Sequence, residues 1–127
     1  MRQIFFAYCN QLKDCEEVLR VVDDYFTGSG WNLVIPENAL NVKMNHPLKV
    51  SFSIVDKSDL LLIDLTSKRK EMVMIHEHAV NKGMEIMYIG RKNEKVLEDL
   101  KQHEKSVFWY DSPAEILPWL EESVVAR

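Results

Sequence analysis

Cysteine is scarce in this chain: Cys9 and Cys15 are the two in 127 residues, and neither a CxxC pair nor a histidine at ligand spacing accompanies them. A disulfide framework is thereby excluded, leaving reduced thiols. No apolar run approaches the length of a bilayer span, and the start MRQIFFAYCNQLKD turns polar after a short stretch. It reads as neither signal peptide nor membrane anchor, so a cytoplasmic location without membrane partners is expected. Positive charge is not in excess: the net charge of -4 argues against a nucleic-acid polymer as partner. No glycine-rich fingerprint follows an apolar run, which argues against a dinucleotide or P-loop mode of binding, and no cofactor is expected. HExxH is also absent. His76 and His78 stand two apart on a predicted helix and point nearly opposite ways, so they cannot share a metal ion and none is expected.

What is present suffices for one globular domain, residues 1–127, with 46% hydrophobic and 28% charged residues. Gln3 to Tyr8 reads as a strand. Leu12, Cys15, Leu19, Val22 and Phe26 form a helical stripe with Lys13, Asp14, Glu17, Arg20 and Asp24 facing solvent. Trp31 to Ile35 is a second strand, closed by Pro36, and Pro47 suits the first turn of a helix with Leu48, Phe52 and Val55 inside. A strand from Leu60 to Leu65, a helix over Glu71 to Lys82 and a strand from Met84 to Ile89 follow. A short helix over Lys95 to Gln102 leads to a fifth strand, Val107 to Tyr110. Ser112, Pro113 and Glu115 then form a capping box for a last helix, which Pro118 should kink or delay. Strands alternating with helices predict a doubly wound, flavodoxin-like α/β domain: a five-stranded parallel sheet in the order 2-1-3-4-5 with helices on both faces.

In that order the chain reverses between the first and third strands, so the loops after Tyr8 and Asp64 part and leave a crevice. The first loop offers Tyr8, Cys9 and Asn10; the second offers Asp64, Thr66, Lys68, Arg69 and Lys70 beside a helix start that favours an anion. Arg91 and Lys92 follow the fourth strand on the same edge. Two readings stand for Asp64: a ligand-binding carboxylate, or an Asx turn that caps the next loop. The Lys68-Arg69-Lys70 run is either a phosphate subsite or a solvated loop.

The stretch SDLLLIDLTSKRKEMVMIHEHAVNKGMEIMYIG resembles the nucleoside 2-deoxyribosyltransferase-like family and its TIR-like nucleotide-binding relatives. In both, a strand ending in aspartate leads into a helix, an alanine, a glycine and a further strand. The resemblance implies a small-molecule nucleoside or nucleotide ligand, held by Tyr8, Cys9, Asn10, Asp64, Thr66, Lys68 and Arg69, in a homo-oligomer. Matching Asp64, Ala79 and Gly83 without gaps places Ile75 where the family carries its glycosyl-transfer glutamate, so a binding domain lacking that acid is expected. One alternative is an active N-glycosidase or deoxyribosyltransferase with a relocated acid, its catalytic pair being Asp64 and Glu77. SDLLLIDL also resembles the third strand of receiver domains, which implies a further alternative, a receiver-like or TIR-like protein-interaction module.

Overall fold

A computed structural model describes residues 2–8, 14–35, 47–67 and 69–125. Its five strands are β1 (Gln3–Ala7), β2 (Asn32–Val34), β3 (Leu60–Asp64), β4 (Glu85–Arg91) and β5 (Val107–Tyr110). All pair in parallel in the order β2-β1-β3-β4-β5, as expected. The described helices are α1 (Cys15–Gly28), α2 (Pro47–Asp56), α3 (Glu71–Asn81) and α4 (Ile116–Val125).

Because side chains alternate along a strand, each strand of a doubly covered sheet divides its apolar residues between two cores. Ile4, Phe6 and Tyr8 point with Leu60, Leu62, Met87 and Ile89 toward a core completed by Val18, Val22 and Phe26 of α1 and Ile116, Leu120 and Val124 of α4. Phe5, Ala7, Leu61 and Ile63 point the other way, toward Val55 of α2 and Met72, Ile75 and Ala79 of α3. The near-continuous run LLLID is buried on both faces, which explains why it shows no polar alternation.

One expectation changes in detail. The crossover before β5 is a 3-10 segment, Glu98–Ser106, not an α-helix over Lys95 to Gln102. Its sequence EDLKQHEKS has one buried residue, Leu100, too little apolar surface to hold a full helix against the sheet. At the other end, Pro113–Glu115 form a 3-10 turn before α4, so Pro118 falls in the first α-helical turn, where its missing N–H leaves no bond unmade. Glu115 accepts backbone hydrogen bonds from Asp111 and Ser112, as the capping box requires. Gly83, at φ 70, turns the chain from α3 into β4.

Candidate functional site

Alternation carries directly to the carboxyl ends of the strands. On the face covered by α1 and α4, the inward series ends at Tyr8 after β1, Asp64 on β3, Arg91 on β4 and Tyr110 on β5. The apolar core below gives way at this level to a row of polar groups across four adjacent strands. Tyr8 is buried and stacks on Phe6 with ring centroids 4.7 Å apart. Asp64 is 2% exposed and Tyr110 1%.

Asp64 is held by the turn that follows it. Its Oδ1 accepts the Thr66 backbone N–H at 2.8 Å and the Thr66 hydroxyl at 2.6 Å, which is an Asx turn reinforced by a side chain. The Thr66 Oγ1 in turn accepts the Arg91 backbone N–H at 3.2 Å, joining the β3 and β4 loop ends. Burial pushes the Asp64 carboxyl up to about 6; the Thr66 bonds, the Arg91 charge and the Ser67 N–H oppose that rise. Tyr110 is raised as well, first by burial and then by the Asp64 charge, while Arg91 pulls the other way. The capping reading of Asp64 is therefore realised. It coexists with a proton affinity that places the carboxyl near its midpoint in mildly acid solution.

Arg91 ties the row together. Its guanidinium Nη2 pairs with Asp14 Oδ2 at 2.9 Å and also hydrogen-bonds Tyr110. Asp14 immediately precedes α1 in a left-handed conformation, φ 64, and makes no side-chain cap. Its expected solvent-facing position is thus corrected: a helical wheel sees only the faces of α1, whereas Asp14 stands at the helix end, within reach of β4. Arg91 is likewise the last residue of β4 and not a loop residue beyond it. Arg91 thus stands at the carboxyl end of β4, where its charge acts on Asp64 of β3 and on Tyr110 of β5, and its pair with Asp14 ties that edge of the sheet to the start of α1.

The other predicted site residues fall in different places. Thr66 and Ser67 are buried in the β3 turn. Arg69 stands outside that turn with its Nε 3.5 Å from Glu71. Glu77 is exposed on α3, while Ile75 is buried in the core against the opposite face of the sheet. Cys9, Asn10 and Lys68 lie outside the described residues. His78 is partly buried: its Nε2 lies 2.7 Å from Asp56 and its ring stacks on Phe52, because α2 packs alongside α3. His76 is buried, with Nε2 2.8 Å from the Tyr88 hydroxyl, and its ring meets that of His103 edge-on. Among the described residues no three His, Cys, Asp or Glu side chains stand close enough together to hold a metal ion. Nor is any described helix long and apolar enough to cross a membrane.

No protein-family model matches the chain, and no curated protein does. Solved structures do. The CMP N-glycosidase of Clostridium botulinum superposes with a TM-score of 0.72 at 12% identity, covering 94% of this chain and 98% of its own. A 2-deoxyribosyltransferase from Leishmania mexicana superposes with a TM-score of 0.66 at 13% identity, covering 97% and 99%. The chain therefore has the nucleoside 2-deoxyribosyltransferase-like fold over essentially its whole length.

Proposed function

We propose that this chain is a nucleoside- or nucleotide-binding domain that binds without transferring the glycosyl group. The observation that carries the reading is the polar row of Asp64, Arg91 and Tyr110 at the carboxyl ends of β3, β4 and β5, beside the reversal of strand order between β1 and β3. Open parallel sheets take their ligands at that place. Two proteins of the same fold are a CMP N-glycosidase and a deoxyribosyltransferase, which supports a ribosylated ligand. Tyr8, Asp64, Thr66 and Arg69, with Cys9, Asn10 and Lys68 of the flanking loops, are the proposed contacts, and a second copy of the chain is proposed to complete the crevice. Binding without transfer is favoured by Ile75, whose side chain is committed to the core, and by Glu77, which faces solvent.

Thermal denaturation with a panel of nucleosides, nucleoside monophosphates and NAD tests the reading. A ligand at a hundredfold excess over its Kd adds about 2.7 kcal/mol, so Tm should rise by several degrees with at least one member. Chromatography of the same mixtures should show no free base. Absence of any shift across the panel rules the reading out. Base release by the wild-type chain, abolished in Asp64→Ala or Glu77→Gln, would instead establish the glycosidase alternative.

A further inference from the structure

We propose that Arg91 is the group that receives a phosphate carried by the ligand, and that Asp14 is its resting partner, displaced when the phosphate binds. The inference rests on the nucleotide-binding reading and narrows it to phosphorylated ligands.

Three features set this ion pair apart from a structural clasp. The first is position: Arg91 belongs to the polar row at the carboxyl ends of β3, β4 and β5, the edge at which the ligand is proposed to bind, and Asp14 reaches that row from the start of α1. The second is access, since the side chains of Arg91 and Asp14 keep 16% and 30% of their surface exposed, whereas Asp64 beneath them is nearly closed. The third is the state of Asp14. An aspartate before a helix ordinarily accepts the first free N–H groups, yet this one makes no side-chain cap. Glu16 and Glu17 supply negative charge to the first turn of α1, so the Asp14 carboxylate is spent on Arg91. It also holds a left-handed backbone, which raises the cost of keeping it there.

The guanidinium suits the exchange. Its planar array of five donors matches a phosphate better than a lysine ammonium does; Tyr110 hydrogen-bonds the guanidinium, and Thr66 holds the Arg91 backbone N–H, when Asp14 leaves. The Asp64 carboxyl is also within range of the Arg91 charge. Phosphate and carboxylate thus compete for one cation, and removing the carboxylate should favour the phosphate.

The test is titration calorimetry with CMP, cytidine and inorganic phosphate at fixed ionic strength, on the full chain and three variants. Asp14→Asn should raise the ratio of CMP to cytidine affinity by about three- to tenfold, because the competitor is gone while the side chain keeps its size. Arg91→Gln should bring that ratio to about one, and Arg91→Lys should fall between Arg91→Gln and wild type. A ratio unchanged or lowered in Asp14→Asn, or preserved in Arg91→Gln, overturns the proposal. Should Arg91→Gln fail to fold, Asp14→Asn and Arg91→Lys decide it. Should neither CMP nor cytidine bind, the nucleotide reading fails while this inference is still decided by inorganic phosphate. Movement of the Arg91 Nε–H signal on adding phosphate to Asp14→Asn sustains it, and a signal that stays put ends it.

Discussion

Thr66 is the residue through which the polar row depends on local chemistry. One hydroxyl donates to Asp64 and accepts from the Arg91 backbone, so β3 and β4 are joined by a two-step hydrogen-bond chain in a site closed to water. Thr66→Val keeps the shape and deletes both bonds. The Arg91 N–H then loses its acceptor and the Asp64 carboxylate one of its donors, a change that should cost about 1–3 kcal/mol in urea denaturation. The same substitution should raise the Asp64 midpoint above its starting value of about 6, because the Thr66 hydroxyl is the first of the contacts that favour the charged form. Carbon NMR of the Asp64 carboxyl reads that midpoint directly. A pH midpoint that stays where it was would mean that the backbone N–H groups alone support the charge.

Strand β4 shows how an element positions the site from its far face. Arg91 points toward α1 and α4, and Gly90 before it points the other way, where an added Cβ would stand 2.9 Å from Val107, 3.0 Å from the Trp109 ring and 3.1 Å from the Thr66 methyl. Close approach of three neighbours is what demands glycine here. Gly90→Ala should therefore destabilise by about 1–3 kcal/mol through overpacking, measured by denaturant unfolding, and should loosen the β3 turn that carries Asp64. The architecture of this region was legible in advance: LLLID and MEIMYIG are apolar runs bounded by a loop and by Gly83, and their order in the chain implies the sheet. Asp64 was visible as the carboxylate at the carboxyl end of the first of these runs, and Tyr8 as a strand-end aromatic. Arg91 was seen only as following the fourth strand on the same edge, because that strand was expected to stop at Ile89, two residues short, and Tyr110 only as the end of the fifth strand. Extended to Arg91, the alternation Met87, Ile89, Arg91 would have placed the guanidinium beside Asp64. Asp14 carried no comparable signal, since its pairing with β4 depends on where α1 begins relative to the sheet.

Across the whole molecule, two buried titrating groups sit on opposite sides of the sheet and act on stability in opposite directions. Asp64 is raised from 3.8 to about 6 by burial, so the folded state holds its proton more tightly than the unfolded chain, and folding loses stability as pH rises between those values. His76 is lowered from 6.5 to about 4, by burial first and then by His103, so folding loses stability as pH falls through that window. The charged and titratable groups around His76 are Tyr88 from β4 and His103 from the 3-10 segment, and Tyr88 is itself raised by burial and stays neutral throughout. Asp56 and Glu115, whose carboxyls are held below the ordinary range, contribute stability that is lost as pH falls from their ordinary values of 3.8 and 4.5, so they touch only the acid end of this window. Between about pH 4 and 6.5 the Asp64 and His76 slopes therefore offset each other, and the wild-type chain should show a nearly flat stability profile there. Each single variant should expose the slope of the remaining group. Asp64→Asn should lose stability on acidification from pH 6.5 to 4, His76→Phe should gain it, and the double variant should return to a flat profile. Urea unfolding at half-unit pH steps measures all four; slopes of the same sign in the two single variants would show that the two groups do not titrate as their burial requires.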